Sequence, residues 1–428
     1  IYYKELTTPA DFASPAAFAR DWDGRHQASQ MGSAYSTMIL QNDNTIGFFY
    51  EESTFGADYT LVYKNYTLEN ITDDAYTYDP TVTYPDYVGT SVREQVDQFF
   101  ENSNGYVGSP DLSKKSAIDN MVTAYEANPT EEAYQEILTA LNAAVVTLQE
   151  GKWYRLENTA RPSYKMLVPA QRVRDNVTYA AFTGTDLNEK TADQLWQFKK
   201  RGDNWLIYNG NYNCYISESK AMYLYAEQTD EAGAGAYDIT SQSTGISLLR
   251  SVNPTNSSIP YLHMAGEGNL VAWTAAEPAS QWYIEPVSDI KADVPEGGYA
   301  TVCYPFAVSI PESVQVYAAK TVNEATGDMA YLYANGGLAE GTLKAGTPAV
   351  IKAEAGTQTF AIASDIEGTA DDNALTGVLA AASYAEGTNY VLNAAGTAFV
   401  KAAATGTAAA NTAYLPAALD VEELPFTF

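Results

Sequence analysis

The stretch "QLWQFKKRGDNWLIYN", residues 194–209, lies near the middle of a strand-rich zone and repeats a pattern found at both ends of that zone. The segment "KWYRLEN" opens the zone at Lys152, and "SQWYIEPV" closes it at Val287. Self-similarity at a regular spacing indicates a repeat architecture. The segments "WYRL", "WLIYN" and "YLHM" therefore predict three lobes that begin near residues 152, 204 and 261.

Two of these lobes end on a tryptophan. Gln194-Leu195-Trp196 is a Q-x-W triplet, and Gln281-Trp282 stands at the equivalent end of a later segment, whereas lobe two has only "YDITSQSTGISLL". Residues 151–288 thus resemble a β-trefoil of the ricin B type, a lectin-like fold. In that family the lobe-ending tryptophan is mainly core, so we expect Trp196 and Trp282 to be structural. The resemblance implies carbohydrate binding through Asp, Asn and aromatic side chains in the loops, and no numbered position is assigned to those roles.

Composition bounds the possible partners. The 428 residues include 24 Lys and Arg against 53 Asp and Glu, a formal net charge of -29, which disfavours nucleic acid and anionic membranes. No run approaches the roughly 20 apolar residues of a membrane span. We expect the two cysteines, Cys214 and Cys303, to be free and buried. With two histidines, His26 and His263, the chain has little material for a histidine metal site or a Ser-His-Asp triad, and we expect neither metal nor cofactor.

Residues 77–150 change in character. The segment 77–89, "TYDPTVTYPDYVG", holds two prolines and predicts a linker. Three amphipathic helices are then predicted over residues 90–150. The first follows a capping-box pattern, Ser91-Val92-Arg93-Glu94, and the third carries an apolar stripe that runs to Val145 and Leu148 after Pro129 and Thr130. We expect a small helical bundle that acts as a spacer.

Residues 289–428 are rich in Ala, Gly and Thr. Short strand-like segments from "GGYATVCYPFAVSIP" to "TAYLP" follow one another at close spacing, which predicts a β-sandwich. The zone resembles a C-terminal module common on large secreted proteins of the Bacteroidetes. We expect it to serve presentation, anchoring or export, with glycan contact as a weaker alternative.

Residues 1–76 predict a three-stranded antiparallel meander. Strands at 34–41 and 45–51 flank Asn42-Asp43-Asn44, whose side chains tolerate the left-handed backbone of a tight turn, and a third strand follows at 59–67. Such a meander has too little core by itself, so we expect it to belong to a larger assembly such as a propeller blade. The chain opens on the strand-like "IYYKEL" without an initiator Met, so we expect the numbered sequence to start inside a longer, secreted, cell-surface or periplasmic protein.

The same meander resembles the last blade of the exo-sialidase (neuraminidase) six-bladed propeller. The matched positions are Ala34-Tyr35-Ser36, Ile46-Gly47 and Tyr50-Glu51, in register around the Asn-Asp-Asn turn. The resemblance implies that Tyr35 is the catalytic nucleophile and that Glu51 orients an arginine that binds the substrate carboxylate. A tyrosine suits this chemistry because a neutral phenol is not repelled by the carboxylate of sialic acid, and sialidases are the exception to the two-carboxylate rule for glycosidases. We expect Glu52 to be a surface residue.

The rest of that family's active site has no assignable counterpart here. Arg20 and Arg25, the arginines that precede Tyr35, lie in "FARDWDGRHQ", which predicts a loop between blades. The catalytic aspartate and the Asp-box repeat cannot be placed either, so we expect this chain to be inactive by itself.

The sequence therefore predicts a mainly β, multidomain protein: a partial sialidase blade (1–76), a linker and three helices (77–150), a β-trefoil (151–288) and a β-sandwich (289–428). Two functions stay open. The first is the C-terminal part of a secreted exo-α-sialidase, with sialylated glycans as partners and another carbohydrate bound by the trefoil. The second is a non-catalytic glycan-binding or adhesin protein whose blade descends from a sialidase.

Overall fold

The computed structural model describes residues 1–5, 22–54, 57–79, 92–127, 131–174, 176–187, 190–220, 223–275, 277–324, 327–334, 341–366, 372–403 and 405–428. The chain divides into two compact units, Ile1–Gly89 and Thr90–Phe428, which are described separately below. The greater part of the predicted linker lies outside the described residues, as do Arg20, Ser91, Pro129 and Thr130.

The first unit contains the predicted meander. Its elements are β1 (Tyr2–Tyr3), β2 (Gly24–Arg25), β3 (Ser33–Leu40), β4 (Ile46–Thr54), β5 (Ala57–Tyr66) and α1 (Leu68–Thr72). Strands β3, β4 and β5 form a three-stranded antiparallel sheet in that order. The turn between β3 and β4 is as predicted: Asn44 has a φ of 62°, and Asp43 Oδ1 accepts hydrogen bonds from the Thr45 N–H and hydroxyl.

The two faces of this sheet differ in burial on β4 and β5, whereas β3 is exposed along its whole length. Phe48 and Tyr50 are buried on one face, with their rings stacked at 5.0 Å. On the other face Ile39, Phe49 and Tyr63 are exposed, although Phe49 and Tyr63 lie directly opposite one another on β4 and β5. Alternation along a strand separates the two faces, so the exposed side chains form one apolar surface.

The second unit begins with three helices, α2 (Val92–Glu101), α3 (Lys115–Ala127) and α4 (Glu131–Ala143). Their apolar stripes meet in one core, which includes Val96, Phe100, Ile118, Val122 and Ile137. The three predicted helices are therefore confirmed.

The third helix ends earlier than its apolar pattern. The pattern predicted a stripe up to Val145 and Leu148, but α4 stops at Ala143 and Val145 instead pairs with Pro110 in an isolated β-bridge. Leu148 packs against the core of the following strand region. These half-buried apolar residues extended the helical pattern because they contact other parts of the chain, not because the helix continues.

The described part of the next region contains twelve strands in one sheet. In chain order they are β6 (Trp153–Asn158), β7 (Met166–Arg174), β8 (Val177–Thr185), β9 (Trp196–Arg201), β10 (Asn204–Asn209), β11 (Cys214–Lys220), β12 (Tyr223–Gln228), β13 (Ala236–Ser243), β14 (Ile246–Ser251), β15 (Tyr261–Met264), β16 (Leu270–Trp273) and β17 (Gln281–Val287).

Half of these strands close a barrel. The pairings run in a cycle β6–β9–β10–β13–β14–β17 and return to β6, all antiparallel. The remaining strands form the hairpins β7–β8, β11–β12 and β15–β16, which pair with one another through β12. A closed six-stranded barrel capped by three hairpins is a β-trefoil, so this prediction is confirmed. Lobe one is β6–β9, lobe two is β10–β13 and lobe three is β14–β17.

The start of lobe three was predicted wrongly. The segment "YLHM" is β15, the second strand of that lobe, and the lobe begins with β14 at Ile246. Strand register explains the error. Tyr154, Trp205 and Ser247 occupy the same position in the first strands of the three lobes, each opposite the lobe-ending aromatic. Lobe three has a serine there, so the aromatic echo is missing from its first strand.

The lobe-ending residues are buried and structural, as predicted for Trp196 and Trp282. In lobe two the equivalent residue is Tyr237, whose register on β10 matches theirs on β6 and β14. Trp196 Nε1 donates to the Leu167 carbonyl at 3.0 Å, and Trp282 Nε1 donates to the Leu262 carbonyl at 3.0 Å. The Tyr237 hydroxyl donates to the Ile216 carbonyl at 3.5 Å. All three therefore tie the fourth strand of a lobe to its second strand, which leaves these rings unavailable to a ligand.

In the described residues of the last region, the structure has fifteen strands. They are β18 (Asp289–Val294), β19 (Tyr299–Val302), β20 (Val308–Ser309), β21 (Gln315–Glu324), β22 (Gly327–Tyr333), β23 (Thr342–Leu343), β24 (Ala349–Lys352), β25 (Gly356–Ile362), β26 (Thr376–Val378), β27 (Ala382–Ser383), β28 (Asn389–Leu392), β29 (Ala398–Lys401), β30 (Thr407–Ala408), β31 (Thr412–Pro416) and β32 (Glu423–Thr427).

These strands form a sandwich, as predicted. A four-stranded sheet, β18-β25-β20-β23, faces part of a nine-stranded sheet that begins β19-β24-β21. Ile290 and Phe360 from the first sheet share one core with Val302 and Ile351 from the second. The same core includes Trp153 of the trefoil, so the two regions are packed together within the second unit.

Gly210 marks how closely these regions approach. A Cβ at this position would lie 2.8 Å from Pro305 Cβ and 2.8 Å from Trp153 Cη2. Both neighbours are rigid, so only glycine fits between the barrel and the sandwich here.

Both cysteines are free and buried, as predicted. Burial raises the pKa of each thiol, Cys214 and Cys303, to about 12. Neither thiol is positioned as a reactive nucleophile, because reactivity requires the thiolate.

Candidate functional site

Strand register places three pseudo-equivalent rows of side chains on the outer surface of the trefoil. Each row crosses three or four adjacent strands and alternates with core residues. The rows are Tyr283–Glu157–Met166–Thr185 in lobe one, Gln197–Tyr208–Tyr215 in lobe two and Asp238–Arg250–Tyr261–Trp273 in lobe three.

The lobe-one row is covered by the helical region. Tyr106, which follows α2, stacks on Tyr283 with ring centroids 4.5 Å apart. Glu157 is paired with Lys165 at 2.9 Å, and Met166 is buried. The Tyr283 ring is therefore half-buried in a stack with Tyr106.

The lobe-two row is covered by an ion pair. Lys199 Nζ lies 4.4 Å from the centroid of the Tyr208 ring and 5.4 Å from that of Tyr215. The same ammonium contacts Glu231 at 3.0 Å, and this hydrogen bond lowers the pKa of the Glu231 carboxyl. Tyr215 is buried beneath them. Cation–π and ionic contacts thus occupy the aromatic surface that lobe two could otherwise present to a ligand.

The lobe-three row is open. Trp273 is 38% exposed, Arg250 is exposed, and Tyr261 and Asp238 are half-buried. Their chain neighbours Tyr237, Leu249, Leu262 and Ala272 belong to the trefoil core, which fixes the row on the outer face. Within the described part of the chain, the Arg250 guanidinium forms no hydrogen bond or ion pair, although Asp238 stands directly opposite on β13. The row therefore combines two aromatic rings with a free guanidinium and a carboxylate. We call it the lobe-three row.

A buried histidine supports the tryptophan of this row. The His263 ring lies 5.9 Å from the Trp273 ring at 43°. The Ser280 hydroxyl donates to the Thr274 carbonyl at 2.5 Å, and its oxygen is 2.9 Å from His263 Nδ1. Because the single hydroxyl proton is already used, Nδ1 is the donor in this pair. Burial, followed by the charge of Arg161, lowers the pKa of His263, so a neutral imidazole fixes the turn beside Trp273.

The first unit contains the two residues predicted as catalytic. Ala34 pairs with Glu51 and Ser36 pairs with Tyr50, so Tyr35 is the extra residue of a β-bulge. Tyr35 has a φ of 37° and is 82% exposed. Positive φ is uncommon for a residue with a bulky side chain, and bulges re-aim side chains beside functional sites. The register thus brings the backbone of Glu51 next to that of Tyr35, while their catalytic roles stay predictions.

Two neighbouring expectations can be compared with the structure. Glu52 is not a free surface residue, because its Oε2 accepts hydrogen bonds from Ser29 Oγ at 2.6 Å and from the Tyr50 hydroxyl at 3.0 Å. Arg25 is exposed in the two-residue strand β2, which pairs with β1, so it is not part of a simple loop.

In the described ranges no group of three or more His, Cys, Asp or Glu side chains is arranged to hold a metal ion. Of the helices that are described, none has the length and apolar character needed to span a membrane.

A scan against family models and a search of curated protein sequences returned no match. Among the solved structures, 39 chains match. One is a Polyporus squamosus lectin bound to the epitope Neu5Aca2-6Galb1-4GlcNAc, with 12% identity and a TM-score of 0.26 over 33% of this chain and 51% of that chain. Another is the Macrolepiota procera ricin B-like lectin in complex with lactose, with 15% identity and a TM-score of 0.25 over 33% of this chain and 99% of that one. A salivary protein from Culex quinquefasciatus has 20% identity and a TM-score of 0.23 over 32% of this chain and 94% of that one.

The match therefore spans about half the length of the Polyporus lectin chain. The strand pairings, and not these low-identity likenesses, establish the trefoil.

Sequence reasoning missed the lobe-three row. The segment "LVAW" alternates and ends on an aromatic, which was the available signal for Trp273. Its partners Arg250 and Asp238 come from strands 23 and more residues away, and only the sheet register brings the four together.

Proposed function

We propose that the β-trefoil is a carbohydrate-binding module and that the lobe-three row is its site. The observation that carries this proposal is the exposure of Trp273 beside Tyr261, in the row whose pseudo-equivalents in lobes one and two are covered. Sugar rings present apolar C–H faces edged by hydroxyl groups. A site for them combines aromatic surface with a few oriented polar groups. Trp273 and Tyr261 supply the surface, while Arg250 and Asp238 supply donors and acceptors.

A glycan array tests this proposal on the whole chain. Trp273→Ala removes the ring at the end of the row and should weaken glycan binding at least tenfold, because truncation of an aromatic anchor costs about 2 kcal/mol or more. Tyr212→Ala is the matched control, since Tyr212 is an exposed aromatic of lobe two that lies outside the rows. A blank array, or equal losses in both variants, would refute the site.

The first unit supports a second proposed function, which also concerns carbohydrates. We propose that the chain is the C-terminal portion of a secreted exo-α-sialidase that acts on sialylated glycans with retention of configuration, through Tyr35 as nucleophile and Glu51 as the residue that orients a substrate-binding arginine. The Tyr35 bulge favours this proposal, because strained backbone of this kind is concentrated at functional sites. The exposed apolar face of β3–β5 also suits a sheet that packs in a larger assembly.

The remaining residues of a sialidase site have no assigned position here, so activity would reside in a longer parent protein. In that parent, Tyr35→Phe should abolish release from a fluorogenic sialoside while the variant stays folded. Phe49→Tyr, which changes an exposed aromatic of the same sheet, should leave turnover unchanged. Full turnover by Tyr35→Phe would instead favour the alternative, a secreted or cell-surface glycan-binding protein without catalysis.

A further inference from the structure

We infer that the lobe-three row selects glycans that carry a carboxylate, such as a sialic or uronic acid, over their neutral counterparts. This inference rests on the proposed carbohydrate-binding function and adds the class of sugar. The residue that carries it is Arg250, at the second position of the row, between Asp238 on β13 and Tyr261 on β15.

Arg250 is unusual in its surroundings. The chain has 53 acidic residues against 24 basic ones, and several described cations of the second unit are paired with carboxylates, among them Arg93 with Glu126 and Lys165 with Glu157. Arg250 is exposed and has no such partner within the described residues, although Asp238 is directly opposite it. A guanidinium presents a planar fork of donors that matches a carboxylate in two parallel hydrogen bonds. A ligand carboxylate can therefore bind this guanidinium without displacing a protein partner among the described residues.

The dimensions of the row fit an acidic oligosaccharide. Neighbouring strands are about 4.8 Å apart, so Arg250 and Trp273, two strands apart, are separated by roughly 10 Å across the sheet. That distance accommodates an acidic sugar at Arg250 and an adjoining neutral ring over Tyr261 and Trp273.

The row also differs from its pseudo-equivalents in this respect. The position of Arg250 is held by Glu157 in lobe one and by Tyr208 in lobe two. Lobe one thus places a carboxylate where lobe three places a guanidinium. Discrimination in favour of an anionic sugar is accordingly a property of lobe three alone among the three rows.

The test is a calorimetric titration of the whole chain with three probes: sialyllactose, a glucuronic-acid-terminated disaccharide, and lactose. We expect the wild-type chain to bind at least one carboxylated probe about tenfold or more tightly than lactose, as charge-assisted hydrogen bonds suggest. Arg250→Gln should remove this preference while binding to lactose persists. Lys152→Gln, which removes an exposed charge of the trefoil outside the row, should keep the preference and so controls for net charge.

The outcomes separate the two levels of the argument. Binding of the sialylated probe alone, or of the uronic acid alone, supports the inference and identifies the acid. Equal affinity for lactose and both acidic probes, unchanged in Arg250→Gln, overturns the inference but leaves the carbohydrate site standing, provided that Trp273→Ala abolishes binding. Failure of every probe to bind overturns the inference, and a blank glycan array overturns the carbohydrate site as well.

Discussion

The hydrogen bond from Trp196 to Leu167 offers the sharpest test of how the trefoil is held together. Trp196→Phe removes the indole N–H that donates to the Leu167 carbonyl at 3.0 Å, in a position that is fully buried. The orphaned carbonyl should cost about 1–3 kcal/mol. The lost volume, on the order of 40 Å³, adds about 1 kcal/mol at roughly 24 cal/mol per Å³. We therefore expect the free energy of unfolding of the trefoil to fall by about 2–4 kcal/mol.

Tyr237→Phe is the matched comparison. It removes the pseudo-equivalent donor of lobe two, whose hydrogen bond to the Ile216 carbonyl is longer at 3.5 Å, and it leaves the ring in place. The expected loss is therefore smaller, about 1 kcal/mol or less.

The assay is urea unfolding of the whole chain, with hydrogen exchange and mass spectrometry of peptides from β6 to β17 to assign the transition to the trefoil. A shift in midpoint at constant slope reports the change in free energy. If Trp196→Phe lies within about 0.5 kcal/mol of the wild type, or if Tyr237→Phe loses more, the buried donors do not bind the lobes together as described.

Two further predictions concern the second unit. Gly210→Val places side-chain atoms against Pro305 and Trp153, so it should destabilise the junction of trefoil and sandwich by about 1–3 kcal/mol. Limited proteolysis should then cleave the variant faster than the wild type. Gly266→Val is the control, because that glycine has open space around it and its replacement should change neither stability nor cleavage. Cys214 and Cys303, whose buried thiols have pKa values raised to about 12, should resist a thiol reagent at pH 8 in the folded chain and react fully in urea; fast labelling of the folded chain would contradict their burial.

The repeat was legible in the sequence where its aromatics survive. Trp196 and Trp282 predicted the ends of two lobes, and "WLIYN" predicted the start of another. The end of lobe two was not recognised because Tyr237 stands in place of the tryptophan, with the same role as hydrogen-bond donor. The start of lobe three was not recognised because Ser247 stands where the other lobes have Tyr154 and Trp205. The geometry of the repeat is conserved between lobes at positions where the residue type is not.

The sequence pattern alone could not predict where α4 ends or which residues form the candidate site. Val145 and Leu148 continue an apolar stripe after α4 has ended, because burial by a neighbouring region produces the same periodicity as a helix. The lobe-three row depends on the pairing of four strands. Which row keeps an exposed aromatic ring depends on Tyr106, in the segment after α2, and on Lys199 of β9, whose ammonium lies over Tyr208 of β10. Such coverage is a tertiary property that no local pattern encodes.

The central claim is that one lobe of the trefoil binds a glycan. Hydrogen exchange of the whole chain, with and without a saturating glycan identified on the array, measures this most directly. Protection should be concentrated in peptides that span β14 to β16, residues 246–273, and should disappear in Trp273→Ala. Protection confined to lobes one or two, or the same exchange with and without glycan, would contradict the account.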